Sequence, residues 1–159
     1  MTFQKNFEWQ GKFIDEIKRI LKSQAMHIVN IEIATPEEDM KKSTDYKIKI
    51  TSGDVAVRLR RAYYSFRDLT IRAINGNSKT EIHKLREGYA DWYLYGWTND
   101  CYISEWMLLD INKMREHDAF SESRPIIMNN DNYTGFVTYS IPELEEMDAV
   151  VTKQINIPS

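Results

Sequence analysis

Apolar residues at Phe13, Ile14, Ile17, Ile20 and Leu21 recur at helical spacing, while Asp15, Glu16, Lys18 and Arg19 fill the opposite face. This pattern predicts an amphipathic helix over about residues 8–23. The period then shortens to that of a strand. From His27 to Thr35, Val29, Ile31 and Ile33 alternate with Ile28, Asn30 and Glu32, as in a half-buried strand. Pro36 to Ser43 is charged and reads as a loop. Asp45–Thr51 (DYKIKIT) and Val55–Arg61 (VAVRLRR) alternate again on either side of Gly53-Asp54, a pair suited to a tight turn, so a hairpin is expected. A two-residue turn sets Ile50 opposite Val57 and Ile48 opposite Leu59. On the other face it brings Lys49 beside Arg58 and Lys47 beside Arg60.

Further along, Asp68–Ile74 (DLTIRAI) is a strand ended by Asn75-Gly76-Asn77. Ser78 or Thr80 opens a short helix through Arg86, with Ser78 and Glu81 at capping-box spacing and Gly88 as its stop. Tyr89–Trp97 (YADWYLYGW) is aromatic on both faces, which suits a strand buried on both sides, and Cys101–Leu109 supplies another. Asp110 is placed to cap a helix running to about His117. Residues 118–134 are polar and without a period, a long loop or insertion that includes Asn129, Asn130, Asp131 and Asn132. Phe136–Tyr139 reads as a strand, Ser140 with Glu143 has capping spacing ahead of a helix in which Pro142 fits the first turn, and the tail from Ala149 reads as a last strand.

At 159 residues and 42% hydrophobic content, this order of elements fits one α/β domain over residues 1–159, with a central mixed β-sheet flanked by helices. Cys101 stands alone, which rules out an intrachain disulfide and suits a reducing compartment. No apolar run long enough to span a membrane occurs and Met1–Gln10 has no signal-like stretch, so the expected location is cytoplasmic. His27, His83 and His117 are too scattered for a local zinc motif, and neither common glycine-rich nucleotide loop is present.

Charge changes the picture only locally. The net charge is −3, from 21 basic and 24 acidic residues, so nucleic-acid binding requires clustering. The expected hairpin supplies a cluster: Lys47, Lys49, Arg58 and Arg60 surround Asp45 on one face. Like charges across a sheet destabilise it, so solvent, acidic neighbours or a bound anion must compensate. Arginine favours phosphate through bidentate hydrogen bonds. Arg61, Tyr63 and Tyr64 follow directly, which extends the candidate nucleic-acid contact. Trp92, Tyr93, Tyr95 and Trp97, with Tyr63, Tyr64 and Phe66 after the hairpin, could stack bases, but a buried strand or a self-association surface is the stronger expectation for these aromatics.

The succession of a helix, a strand, a strand opening with an acid, a strand ending in basic residues, then a helix and more strands resembles the PD-(D/E)xK nuclease superfamily. That superfamily includes Holliday-junction resolvase-like members and phage proteins of similar size. The resemblance spans about residues 8–110 and implies a restriction-endonuclease-like fold, a Mg²⁺ cofactor, and DNA or RNA as partner. It carries over in two ways. In one, Asp45 is the leading acid, and Arg58-Leu59-Arg60 stands where an acid-x-Lys triplet is expected. In the other, Asp45-Tyr46-Lys47 is the triplet and Glu32 the leading acid. The resemblance thus assigns metal to Asp45 and Glu32, and phosphate or water positioning to Lys47 or Arg60. Mg²⁺ usually needs further oxygen ligands, for which Glu16, Glu38, Asp39 and Glu81 are candidates, although capping already explains Glu81. The expected function is a nucleic-acid-binding, nuclease-like protein, either an endonuclease or a degenerate relative. The alternative is a non-catalytic protein, phage-encoded in one version, that binds a protein or assembles with itself through the aromatic surface and the Asn-rich loop.

Overall fold

A computed structural model of the protein describes residues 3–33, 48–63 and 65–156. Helices α1 (Phe3–Gly11) and α2 (Ile14–Ser23) replace the single helix expected over residues 8–23. The break follows Gly11, the residue type that loses the most backbone conformational freedom in a helix. Phe13 takes the N-cap position of α2 and remains in the core. Helix α3 (Ala25–Ile28) then leads into strand β1 (Val29–Ile33).

Strands β2 (Ile48–Ser52) and β3 (Val55–Arg61) both form, but the hairpin between them does not. β2 lies antiparallel to β1, with Ile31 across from Ile50 and Glu32 across from Lys49. β3 lies parallel to β5 (Trp92–Thr98), with Arg58 across from Tyr95 and Arg60 across from Trp97. The expected pairing of Lys49 with Arg58 is therefore corrected; Asp45, Lys47 and Tyr64 lie outside the described residues. Alternation fixes the face a residue occupies and leaves open which strand lies alongside. Asp54 decides that here. Its carbonyl accepts the N–H groups of Asp91 (2.9 Å) and Trp92 (3.1 Å), and its own N–H donates to the Asp91 carboxylate at 3.0 Å, so the chain leaves Asp54 beside the start of β5.

Two further groupings complete the fold. A four-stranded mixed sheet has the order β3-β5-β6-β9, with β6 (Ile103–Asp110) and β9 (Val150–Gln154) antiparallel to their neighbours. A three-stranded antiparallel sheet has the order β4-β8-β7, from Leu69–Asn75, Thr134–Tyr139 and Ile127–Met128. With helices α4 (Glu81–Arg86), α5 (Ile111–Glu116) and α6 (Ile141–Glu146), the chain is a single α/β domain with mixed and antiparallel sheets flanked by helices.

The odd and even residues of β5 serve two cores. Leu94 joins Leu59, Trp106 and Leu108 against Phe13, Ile17 and Ile20. Tyr93, Tyr95 and Trp97 face the other way and pack with Leu69, Ile71 and the residues of α4 to α6. The strand is buried on both sides, as its aromatic run predicted, and Tyr95 and Trp97 meet edge to face at 5.2 Å. Both anticipated caps at Asp110 and Ser140 form, each accepting from the backbone N–H three residues on. For α4 the cap is Thr80 working with His83, so the expected Ser78–Glu81 box is corrected and Glu81 is released for another role. Cys101 lies exposed in the turn before β6 rather than within the strand. No helix among the described residues is long and apolar enough to cross a membrane.

Candidate functional site

Because Val55, Val57 and Leu59 face the α2 core, Arg58 and Arg60 project to the other side of the sheet, toward β4 and α4. There they enter a cleft of about 940 Å³. Its lining brings together six cations, Arg58, Arg60, Arg61, Arg72, Lys79 and Lys84, with one carboxylate, Glu81. Of the cluster read from the sequence, Arg58 and Arg60 are thus retained on β3 while Lys49 lies apart on β2, and the company is different: β4 and α4 provide the partners that the hairpin was expected to provide.

Glu81 is the organising group. Its Oε2 lies 3.0 Å from Arg58 Nη1 and accepts the backbone N–H of Arg72 at 3.3 Å, while its Oε1 accepts the hydroxyl of Tyr93. Burial opposes the charge on Arg58, yet Tyr93, Glu81 and Tyr95 together outweigh it and hold the guanidinium pKa above its ordinary value. Burial also pushes the Tyr93 hydroxyl well up, with the Glu81 carboxylate adding to the effect, so Tyr93 stays a proton donor to Glu81. Arg60 Nη1 donates to Thr70 Oγ1 at 2.6 Å, and Thr70 Oγ1 is 2.8 Å from the Tyr95 hydroxyl. Arg61 lies 3.3 Å from Asp100 and stacks 4.6 Å from the centre of the Trp9 ring, whose Nε1 donates to the same carboxylate. Among the described residues Arg72 and Lys84 make no direct ion pair; Arg72 acts on Asp131 at longer range.

The floor of the cleft is therefore a hydrogen-bonded sheet surface, and its walls are basic. One side is closed by α1, where Gln10 accepts the N–H of Leu59 through Oε1 at 3.2 Å and donates from Nε2 to the carbonyl of Val57 at 3.4 Å. At the mouth, Tyr63 is 72% exposed and Phe66 49% exposed. The backbone at Ala62 and at Phe66 is held from below. Arg67 donates to the carbonyls of Phe66 (3.0 Å) and Ala62 (3.3 Å) and forms a buried ion pair with Glu105 at 2.7 Å. Glu105 in turn accepts the N–H of Asn156 at 2.9 Å.

Of the residues expected from the sequence, Arg58, Arg60, Arg61 and Tyr63 come together in the cleft. Lys49 lies on β2, across from Glu32 of β1. Glu16 uses both carboxylate oxygens to accept the N–H of Ile103 at 3.0 Å, and Glu38 and Asp39 lie outside the described residues. Among the described residues no group of three or more His, Cys, Asp or Glu is placed to hold a metal ion. The sequence reading missed Arg72, Lys79, Lys84 and the ion-pair role of Glu81, whereas Phe66, expected with Tyr63 as an aromatic able to stack bases, does line the cleft. One signal was available: Glu81 and Lys84 are three apart on a helix and share a face. No family model, curated protein or solved structure matches this chain.

Proposed function

We propose that this chain is a nuclease-like nucleic-acid-binding protein that takes DNA or RNA into the cleft between β3, β4 and α4. The observation that carries the reading is the gathering of six cations around one carboxylate in a chain whose net charge is −3. Three of the six have carboxylate partners at short range, Arg58 with Glu81, Arg61 with Asp100 and Lys79 with Glu87; a polyanion would neutralise the surplus that is left and release condensed counterions. Four of the six cations are arginines, whose planar donors suit phosphate oxygens.

Fluorescence anisotropy with labelled oligonucleotides tests this. Affinity is expected to fall steeply between about 50 and 200 mM salt, and Arg72→Ala and Lys84→Ala each to reduce the salt slope by about 1. These two positions are chosen because neither side chain anchors the fold through a direct ion pair among the described residues. Binding unchanged by salt and by both substitutions overturns the reading. It would favour the protein-interaction alternative, for which exposed Ile126, Ile127, Met128 and Tyr133 supply an apolar surface.

The endonuclease version of the proposal rests on Asp45. Branched, duplex and single-stranded substrates incubated with Mg²⁺ or Mn²⁺ are expected to be cut by the wild type and spared by Asp45→Ala. Equal cleavage by both proteins removes the catalytic claim and leaves the binding claim standing.

A further inference from the structure

Within the cleft, cations and aromatic rings are arranged at different depths. The Arg58 side chain is 33% exposed and that of Arg61 is 24% exposed, and Arg60 reaches inward to Thr70, which is 4% exposed. Tyr63 and Phe66 are more exposed than Arg58 and Arg61, and Arg72, Lys79 and Lys84 are exposed with them. A duplex presents its phosphates on the outside of a stiff cylinder whose major groove alone is about 12 Å wide. Such a body reaches the exposed Arg72, Lys79 and Lys84 but leaves the recessed guanidinium groups of Arg58, Arg60 and Arg61 unused. The cleft volume of about 940 Å³ lies instead in the range of small-molecule pockets, roughly 300–1,000 Å³, which is room for a few unpaired nucleotides.

From this layering we propose that the cleft is selective for single-stranded nucleic acid. Resting on the nucleic-acid reading above, the inference names the form of the substrate. The flexible backbone of a single strand follows the recessed arginines, and its unpaired bases stack on Phe66 and Tyr63 at the mouth. A basic groove edged by aromatic rings is the general solution to this problem, because every base has a stacking face whatever its sequence. Arg67, paired with Glu105, serves the arrangement by holding the backbone carbonyls of Ala62 and Phe66, which lowers the ordering cost for the residues beside them.

The experiment compares a short oligothymidine, the matching oligouridine, and a blunt DNA duplex of the same length, each labelled for anisotropy at equal salt. Both single strands are expected to bind at least about tenfold more tightly than the duplex. Their ratio reports whether the 2′-hydroxyl adds to or subtracts from a preference shared by both. Phe66→Ala is expected to weaken single-strand binding about tenfold, with Phe66→Trp restoring it and duplex binding unchanged by either. A duplex bound as tightly as the single strands, with Phe66→Ala weakening neither, overturns the inference while the nucleic-acid reading stands. Failure of all three probes to bind overturns that reading itself, and this inference with it.

Discussion

Among individual residues, Arg67 and Glu105 carry the largest stake. They are 6% and 4% exposed, and their ion pair sits beneath the Trp97 ring, with the Arg67 guanidinium 5.3 Å from its centre. Two charges removed from water are tolerated only because both are almost fully hydrogen-bonded, Arg67 to two turn carbonyls and Glu105 to the N–H of Asn156. Removing one partner leaves the other charge buried. Glu105→Ala is therefore expected to cost about 3–5 kcal/mol in urea unfolding, whereas Arg67→Met combined with Glu105→Ala costs less than the sum of the two single changes. A loss under about 1 kcal/mol for Glu105→Ala would mean that the pair is far better hydrated than its burial indicates. Glu81 shows a related balance at the cleft: one carboxylate satisfies Arg58, Tyr93 and a backbone N–H together, so it permits a guanidinium to be held half-buried at a surface that otherwise repels it.

Elements, in turn, differ in how they are secured. The polar segment over residues 118–134 contains only the two-residue strand β7, yet side chains fix it at both ends. Arg124 reaches Glu143 of α6 through paired contacts at 2.6 and 2.8 Å and lies 3.8 Å from the centre of the Tyr139 ring. Asp131 accepts the N–H groups of Thr134 and Tyr133 at 2.8 and 2.9 Å. The hydrogen bonds from Arg124 hold the Glu143 carboxyl below its usual value, and those from Thr134 and Tyr133 do the same for Asp131. A carboxylate depressed in the folded state stabilises it fully above the unfolded pKa of about 4, and that contribution is lost as pH falls through the folded value. The urea midpoint is expected to decline from about pH 5 downward, and Glu143→Gln to flatten that decline while lowering stability at neutral pH. An identical pH profile in the variant would show that Arg124 does not depend on this carboxylate. Sequence alone located most of these elements, because alternation, helical spacing and cap residues are local signals: β3 has the bounds expected of it, and Asp110 and Ser140 cap as their positions suggested. The partner of β3 was not local information. Asp54 selects it through contacts with Asp91, 37 positions away, which no pattern within residues 45–61 contains.

For the molecule as a whole, the same distinction explains how much of the site could be read in advance. Arg58, Arg60 and Arg61 share one strand and announced themselves as a basic run, whereas Arg72 and Lys84 become their neighbours only when β4 and α4 pack beside β3. An acidic chain can thus own a basic cleft, because folding segregates charge that composition averages. The strand on which that cleft depends is the outermost strand of the four-stranded sheet. An outermost strand offers its unpaired backbone groups as a template for another chain, a common origin of aggregation and domain swapping. Gln10 answers that hazard with a single side chain. Its carboxamide has the acceptor and donor of a peptide group, and it fills the positions at Leu59 and Val57 that a neighbouring strand would use. At these positions β3 is closed to intermolecular sheet growth, while Arg58 and Arg60 point away from α2 and line the cleft.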